Sequence, residues 1–555
     1  MSDTTSYVFG IDLGTTYSCI SYLKDGHPVV CQNLEGESTT PSVVRMLPEE
    51  ETPVVGRTAK DMAVIYPDYT IQFVKSKIGH VESFEYGAED DKHTTTPVAV
   101  SAEILKKLAQ DASAYTNTTV KDVVITVPAY FGNNEKDATR QAGIDAGLNV
   151  IDIVEEPTAA AFYYGCEKSS ENEIICIFDL GGGTFDVTAM KMEAGAMTVL
   201  TTDGNHDLGG RNWDAEMIAM VEEKFREQTG YEEEFDSEIL QELQLKCETA
   251  KRQLTSAPKA DIALKIDRKN SAVISITREE FDARTSFLLA TAIDLTRAVF
   301  DRIEERGEKI SKILLVGGSS FMPQVAEAIK SEFNMTPEMN EPNEAVSKGA
   351  CIYAAWKLDH SDVVVPTDVT NKTDDENEET ILGHTQDVVT GKTELENGDT
   401  IIQLTGKDGS KREVTISLPS AARKMTIITV ATKSFGIKAY VNHVEKIVNL
   451  IKKDTKLPFS TTQTFGTFEA DMQNVSIELF QSESYEDHYD EEEGVKVGDS
   501  ILEGLPAGLP ADSPVDITFT LAENGLIEIT GSYEGKPLNG KLEKSYAEGV
   551  GTQEQ

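Results

Sequence analysis

The sequence predicts an α/β domain followed by a β-rich one, and three observations carry that expectation. Apolar strand-like runs alternate with helix-like stretches as far as Leu358, the pattern of mixed α/β packing. Residues 366–379 (PTDVTNKTDDENEE) are polar and acidic and read as loop or linker. Beyond them the pattern turns to period two: Val475, Ile477 and Leu479 share one strand face, and Asp516 to Leu521 alternates before Asn524-Gly525 and then Leu526 to Thr530. Asn-Gly supplies the positive φ angles of a tight hairpin turn, so the last two runs read as one β-hairpin.

Composition sets the class. A chain of 555 residues, 39% hydrophobic and 26% charged, is long enough for two or three domains with ordinary cores. A formal net charge of -44 repels nucleic acid and anionic membrane, so neither is expected as a partner. No run approaches the ~20 apolar residues of a membrane span, and MSDTTSY has no basic-then-apolar leader, so a cytoplasmic location is expected. The six cysteines, Cys19, Cys31, Cys166, Cys176, Cys247 and Cys351, show no CxxC spacing and read as reduced core thiols.

The first domain contains two similar segments, VFGIDLGTTY (8–17) and IFDLGGGTFDV (177–187). Each is an apolar strand that turns through glycines, where backbone N–H groups can approach phosphate oxygens with no Cβ in the way. Thr15, Thr16 and Thr184 add hydroxyl donors, while Asp12 and Asp179 suit the water shell of a Mg²⁺ that bridges phosphates. One such turn is ordinary; two with matched Asp and Thr suggest two halves facing one cleft. By itself VVITVPAYF (123–131) is a buried strand ended by Pro128, and Glu156 before Pro157 is an acid at a helix N-terminus. From Ser237 to Leu254 the positions Leu240, Leu243, Cys247, Ala250 and Leu254 give a helical core face. Glu248, Lys251, Arg252 and Thr255 form a separate polar stripe, which suits either solvent or a ribose and purine. ILLVGGSSFMP (313–323) is a further strand running into Gly317 and Gly318.

Taken in order, GIDLGTTYS (10–18), VVITVPAYF (123–131), EEPTAAA (155–161), IFDLGGGTFDV (177–187), LGGRNWD (208–214), CETAKRQLTS (247–256) and LLVGGSS (314–320) resemble the nucleotide-binding domain of the 70-kilodalton heat-shock chaperones, the DnaK type. The resemblance implies an actin-like fold of two lobes and ATP hydrolysis to ADP and phosphate. It implies that Asp12, Gly14, Thr15, Thr16 and Tyr17 form the first phosphate hairpin, and Asp179, Gly181, Gly182, Gly183 and Thr184 the second. Lys75 in FVKSKIG (73–79) resembles the lysine that positions the γ-phosphate and the attacking water. Glu156 resembles the acid near magnesium, so Asp12, Glu156 and Asp179 would hold Mg²⁺, mainly through water, with K⁺ a further candidate ion. Pro128 resembles the proline that relays nucleotide state between domains. Gly209, Gly210, Glu248, Lys251, Arg252, Thr255, Gly317, Gly318 and Ser319 resemble the adenosine pocket. Three positions depart from the family pattern: Phe321 stands where an arginine usually sandwiches adenine, and Asn343 and Asn212 replace aspartates.

SFGIKAY (434–440), LPFSTTQTFGTFE (457–469) and NVSIELFQSES (474–484) are similar to the β-sandwich substrate domain of the same family. By that comparison Ile437, Phe465, Val475 and Ile477 line an apolar groove for extended peptide, and Tyr440 and Phe468 arch over it. The expected division is an actin-like nucleotide domain over 1–360, a linker with an insertion over 361–424, a β-sandwich over 425–535, and an acidic, flexible tail over 536–555. Too few residues follow Thr530 for the family's helical lid. The apolar linker is divided between Asp362 to Val365 and Thr426 to Ile437, and either run could be the one that docks. The expected function is an ATP-driven chaperone for unfolded polypeptide, with a J-domain co-chaperone and a nucleotide-exchange factor implied by resemblance. A scaffold that holds ATP without hydrolysing it is the first rival. Small-molecule kinases and filament proteins, which share the actin-like fold, are the second.

Overall fold

The computed structural model describes residues 7–168, 172–193, 195–363, 387–406, 409–441, 444–522 and 527–543. Two sheets of like construction form the nucleotide-type part. In the first, Val8–Asp12 pairs antiparallel with Tyr17–Lys24 and parallel with Asp122–Val127, which in turn pairs parallel with Asn149–Glu155. Every residue of Asp122–Val127 is buried, with Val123, Val124, Ile125 and Val127 supplying apolar side chains to both faces of the sheet. In the second sheet, Glu173–Leu180 pairs antiparallel with Phe185–Glu193 and parallel with Lys312–Val316. The two similar sequence segments are therefore equivalent strand-turn-strand units, one in each lobe.

Helices Glu156–Lys168 and Ala345–His360 cross between the sheets and share one apolar core, which includes Phe162, Ala350 and Ala354. They approach so closely that a Cβ on Gly349 would lie 3.1 Å from Ala159 Cα and nearer still to the Ala159 carbonyl. Helix Ser237–Leu254 starts at Asp236, whose side chain accepts a hydrogen bond from Ile239 N (2.8 Å). Its buried face is Leu243, Cys247, Ala250 and Leu254. Leu240, expected on that face, is exposed instead. Ile239, one position earlier, packs against the core in its place, so the apolar stripe is offset at the first turn.

The segment expected as linker and insertion holds structure of its own. Asp387–Glu394, Thr400–Gly406 and Lys411–Ile416 form an antiparallel meander. Val389, Ile402, Leu404, Val414 and Ile416 bury its inner face in the core of the two crossing helices. Arg412 fixes the meander to the first lobe, since its guanidinium bonds the fully buried Asp122 (Nε to Oδ2 3.1 Å) and also Asp387. Removing one partner of such a pair leaves a buried charge without compensation. Arg412→Ala is therefore expected to cost about 2 to 3 kcal/mol, discounted because the arginine side chain is a quarter exposed, and thermal unfolding should show it as a lowered midpoint.

Of the two linker runs, Asp362 and Val363 are described and extend no sheet, while Val364 and Val365 lie outside the described residues. Thr426–Ile428 pairs in parallel with Ala196–Thr198 and becomes the edge strand of the second-lobe sheet. These three residues, expected to begin the sandwich, thus belong by hydrogen bonding to the nucleotide-type part. Trp356 Nε1 donates to Met425 O (2.9 Å) just before that strand.

The described strands from Ser434–Val441 onward form one nine-stranded antiparallel arrangement around a core that includes Phe435, Leu479, Leu502 and Phe519. Pro514–Leu521 pairs with Ile527–Tyr533 out to Leu521 and Ile527, and the Asn524-Gly525 turn between them lies outside the described residues. The segment 536–555 was expected to be a tail throughout. Lys536–Glu543 is instead a strand, paired with both Val495–Glu503 and Ile527–Tyr533, because Leu538 completes the sandwich core.

Candidate active site

A cavity of about 320 Å³ lies between the two lobes. The first strand-turn-strand unit sends Asp12, Gly14, Thr15, Thr16 and Tyr17 to its wall, and the second sends Asp179, Gly181, Gly182 and Thr184. The two turns touch: a Cβ on Gly183 would come 2.5 Å from Thr15 Cγ2, and one on Gly182 would overlap Thr16 Oγ1. Only glycine allows this approach. Gly317 has φ 81°, and a Cβ there would come within 2.5 Å of Asp179 Oδ1, so it too has to be glycine.

Lys75 reaches the cavity from a short 3₁₀ turn, Val74–Lys77, entered through Phe73 at φ 58°. Its Nζ lies 2.5 Å from Glu156 Oε1, with both residues buried, and 5.8 Å from the Phe131 ring centroid. Glu156 opens the helix that crosses between the lobes, where the helix N-terminus favours an acid. Three carboxylates, Asp12, Glu156 and Asp179, thus gather around one ammonium. Burial, then the Glu156 charge, push the Asp12 carboxyl up to about 7, with Lys75 and a Thr126 hydroxyl contact opposing. Burial, Glu156 and Asp12 likewise raise Asp179 well above the usual carboxylate range, and Lys75 opposes again. Such carboxylates are costly without a compensating cation, and among the described residues no three acidic, histidine or cysteine side chains stand together so as to hold a metal ion directly.

The polar stripe of the Ser237–Leu254 helix and the residue after it bring Glu248, Lys251, Arg252 and Thr255 to the cavity, and Gly210, Gly317, Gly318, Ser319 and Phe321 join them there. Burial alone would raise the Glu248 carboxyl; Lys60 and Arg252, with the Tyr17 hydroxyl (2.8 Å), hold it below its ordinary value. Lys251 Nζ bonds Gly210 O (2.9 Å) and Asp214 (2.8 Å). Tyr17 sits between two cations, Lys60 Nζ 4.6 Å and the Arg252 guanidinium carbon 4.7 Å from its ring centroid.

Gly183 and Gly209 are not on the cavity wall: they pack on each other behind it, so that a Cβ on Gly209 would meet Gly183 Cα at 2.6 Å. Pro128 is also behind the wall, where its carbonyl accepts from Phe131 N (3.2 Å) in the turn that brings Phe131 over Lys75. Sequence reasoning missed Lys60 and Asp214. Lys60 forms an ion pair with Glu248 across 188 positions, a separation that no local motif reveals. Asp214 stood in the quoted LGGRNWD segment, four residues after Gly210, and helical spacing could have found it.

A second cavity, of about 760 Å³, lies in the sandwich and is lined by Ile437, Tyr440, Phe465, Phe468, Val475 and Ile477 together. Ile437 and Ile477 are buried and belong also to the sandwich core, while Phe465 and Val475 are half-buried. Tyr440 and Phe468 are 58% and 68% exposed and stack on each other, ring centroids 5.4 Å apart and planes 19° apart. Large exposed aromatics beside an apolar cavity mark a binding surface.

The Hsp70 protein family model matches residues 8–373 and 409–555, and leaves unmatched the stretch that contains the first two strands of the meander. Proteins named chaperone protein DnaK from Thermotoga petrophila, Thermotoga maritima and Thermotoga neapolitana are each 31% identical to the chain over 538 residues, covering 96% of the chain and 79% of the relative. Two glycine turns facing each other across one cleft, a sandwich with an aromatic-edged cavity, and a match over most of the length lead to one conclusion: the chain belongs to the Hsp70 family.

Proposed function

We propose that the cleft between the lobes binds and hydrolyses ATP with Mg²⁺, and that the sandwich cavity holds extended apolar segments of unfolded protein, its affinity set by the nucleotide. Membership of the Hsp70 family makes the chain an ATP-dependent chaperone and an ATPase. The observation that carries the assignment of roles is the convergence of both glycine turns on the buried Lys75–Glu156 pair.

In this reading the backbone N–H groups of the two turns hold phosphate oxygens, with Thr15, Thr16 and Thr184 adding hydroxyl donors. Asp12, Glu156 and Asp179 would hold the metal, mainly through water, and bound Mg²⁺ supplies charge neutralisation for the phosphates. Lys75 places positive charge where negative charge grows in the transition state, and Glu156 fixes the ammonium in position. Glu248, Lys251, Arg252, Thr255, Ser319 and Phe321 hold the nucleoside. The retained Lys75–Glu156 pair favours hydrolysis over a scaffold that only binds ATP.

The proposed division is nucleotide domain, linker with inserted meander, and sandwich. Thr426–Ile428 is the linker run that docks, and Pro128 relays nucleotide state through the Phe131 turn. In the sandwich, Ile437, Phe465, Val475 and Ile477 take side chains of the peptide, while Tyr440 and Phe468 close over its backbone. A J-domain co-chaperone and an exchange factor are the partners this reading implies. Its setting is the cytoplasm; no helix among the described residues is long and apolar enough to cross a membrane.

The test uses the full chain, a fluorescent apolar peptide and phosphate release. Peptide dissociation should be faster with ATP than with ADP, and chelating Mg²⁺ should stop turnover. Equal off-rates would remove the coupling, and no phosphate release would return the scaffold reading. Val475→Asp is expected to weaken peptide binding at least about tenfold, because it sets an unpaired charge on an apolar wall, while leaving ATP turnover in place. Unchanged peptide affinity would move the binding site elsewhere.

A further inference from the structure

The residues available to a purine edge have a common property. Thr255 Oγ1 donates to Arg252 O (2.7 Å) and Ser319 Oγ to Gly181 O (2.8 Å), and each hydroxyl can rotate to serve a ligand as donor or acceptor. Asn343 also lines the cavity, exposed at its rim, and its amide makes no hydrogen bond among the described residues. It rests against Gly318, where a Cβ would come 2.9 Å from Asn343 Oδ1. An amide presents a donor and an acceptor side by side. The two carboxylates that could enforce one polarity are already engaged, Glu248 by Lys60, Tyr17 and Arg252, and Asp214 by Lys251. The flat surfaces are Phe321, 41% exposed, and the Arg252 guanidinium, whose side chain is 56% exposed; both stack on any purine face.

We propose that this cleft selects a purine by shape and stacking and does not discriminate at the 6-position, so that 6-oxo purine nucleoside triphosphates are substrates alongside ATP, with Asn343 as the residue that accommodates either group. The proposal rests on the nucleotide reading of the cleft. Adenine carries a 6-amino donor and a 6-oxo purine an acceptor. A site with a fixed acceptor rejects the second because two acceptors face each other, whereas an amide turns about its last bond and meets both.

The experiment is competition against a fluorescent ATP analogue on the full chain with Mg²⁺, using ATP, inosine triphosphate and cytidine triphosphate, followed by phosphate release from each. Inosine triphosphate is expected to bind within about tenfold of ATP and to be hydrolysed, and cytidine triphosphate, with its smaller stacking face, to bind at least about tenfold more weakly than either. Asn343→Asp installs a fixed acceptor at an exposed position that leaves the fold intact, and should shift the inosine-to-ATP affinity ratio at least about tenfold in favour of ATP. Inosine triphosphate more than tenfold weaker than ATP in the parent, cytidine triphosphate equal to ATP, or an unmoved ratio in Asn343→Asp would each overturn the proposal. Failure of ATP itself to compete would overturn instead the nucleotide reading beneath it.

Discussion

Lys75→Ala is expected to lower single-turnover ATP hydrolysis by roughly 10³-fold while the nucleotide still binds. Lys75 is the cation among Asp12, Glu156 and Asp179, and the lysine itself is buried at 5% exposure. Without it, growing negative charge on a transferring phosphoryl group has no fixed ammonium to meet, and water cannot substitute in so enclosed a position. The same change leaves Glu156 buried without its partner, so some loss of stability accompanies it. Nucleotide affinity measured on the same sample separates the two effects. A variant that binds ATP and turns it over within tenfold of the parent would show that Lys75 is not catalytic.

The second large effect is mechanical. Gly349→Ala is expected to destabilise the nucleotide-type part by about 3 kcal/mol, read as a fall in the thermal midpoint of that part alone. The added methyl would enter the space held by the Ala159 carbonyl, and backbone cannot swing aside as a flexible side chain can. The helices Glu156–Lys168 and Ala345–His360 would have to separate, and with them the core that joins the two lobes. Because Glu156 begins the first of these helices, its distance from Lys75 would change as well. Retention of both midpoint and turnover in Gly349→Ala would mean that the crossing is looser than its geometry states.

What the sequence disclosed and what it withheld follow from range. The glycine turns were legible because each is complete within a dozen residues: the apolar strand, Asp12 or Asp179, the glycines and the threonine are all local. Ile437, Phe465, Val475 and Ile477 were grouped by family resemblance and not by any local pattern, and the structure brings all four to one cavity. Lys60 was invisible because its meaning depends on Glu248, far along the chain. The meander stands in the sequence only as an insertion without a role, since the core that its inward Val389, Ile402, Leu404, Val414 and Ile416 join lies on helices far along the chain. Neither apolar linker candidate reveals its pairing from sequence, because the pairing of Thr426–Ile428 with Ala196–Thr198 is a property of the sheet edge. Leu240 failed by one position, the usual error where a helix begins before its packed face does.

The junction between the crossing helices and that edge strand carries a built-in optical reporter. The chain has two tryptophans, and Trp213 is wholly enclosed in the second lobe. Trp356 is only partly covered, stacks on the His360 ring (centroids 4.7 Å apart) and gives its indole proton to Met425 O. Detachment of the strand would strip this indole of its acceptor and wet it, moving its emission to the red while Trp213 stays constant. Undocking can therefore be followed by intrinsic fluorescence in unlabelled protein.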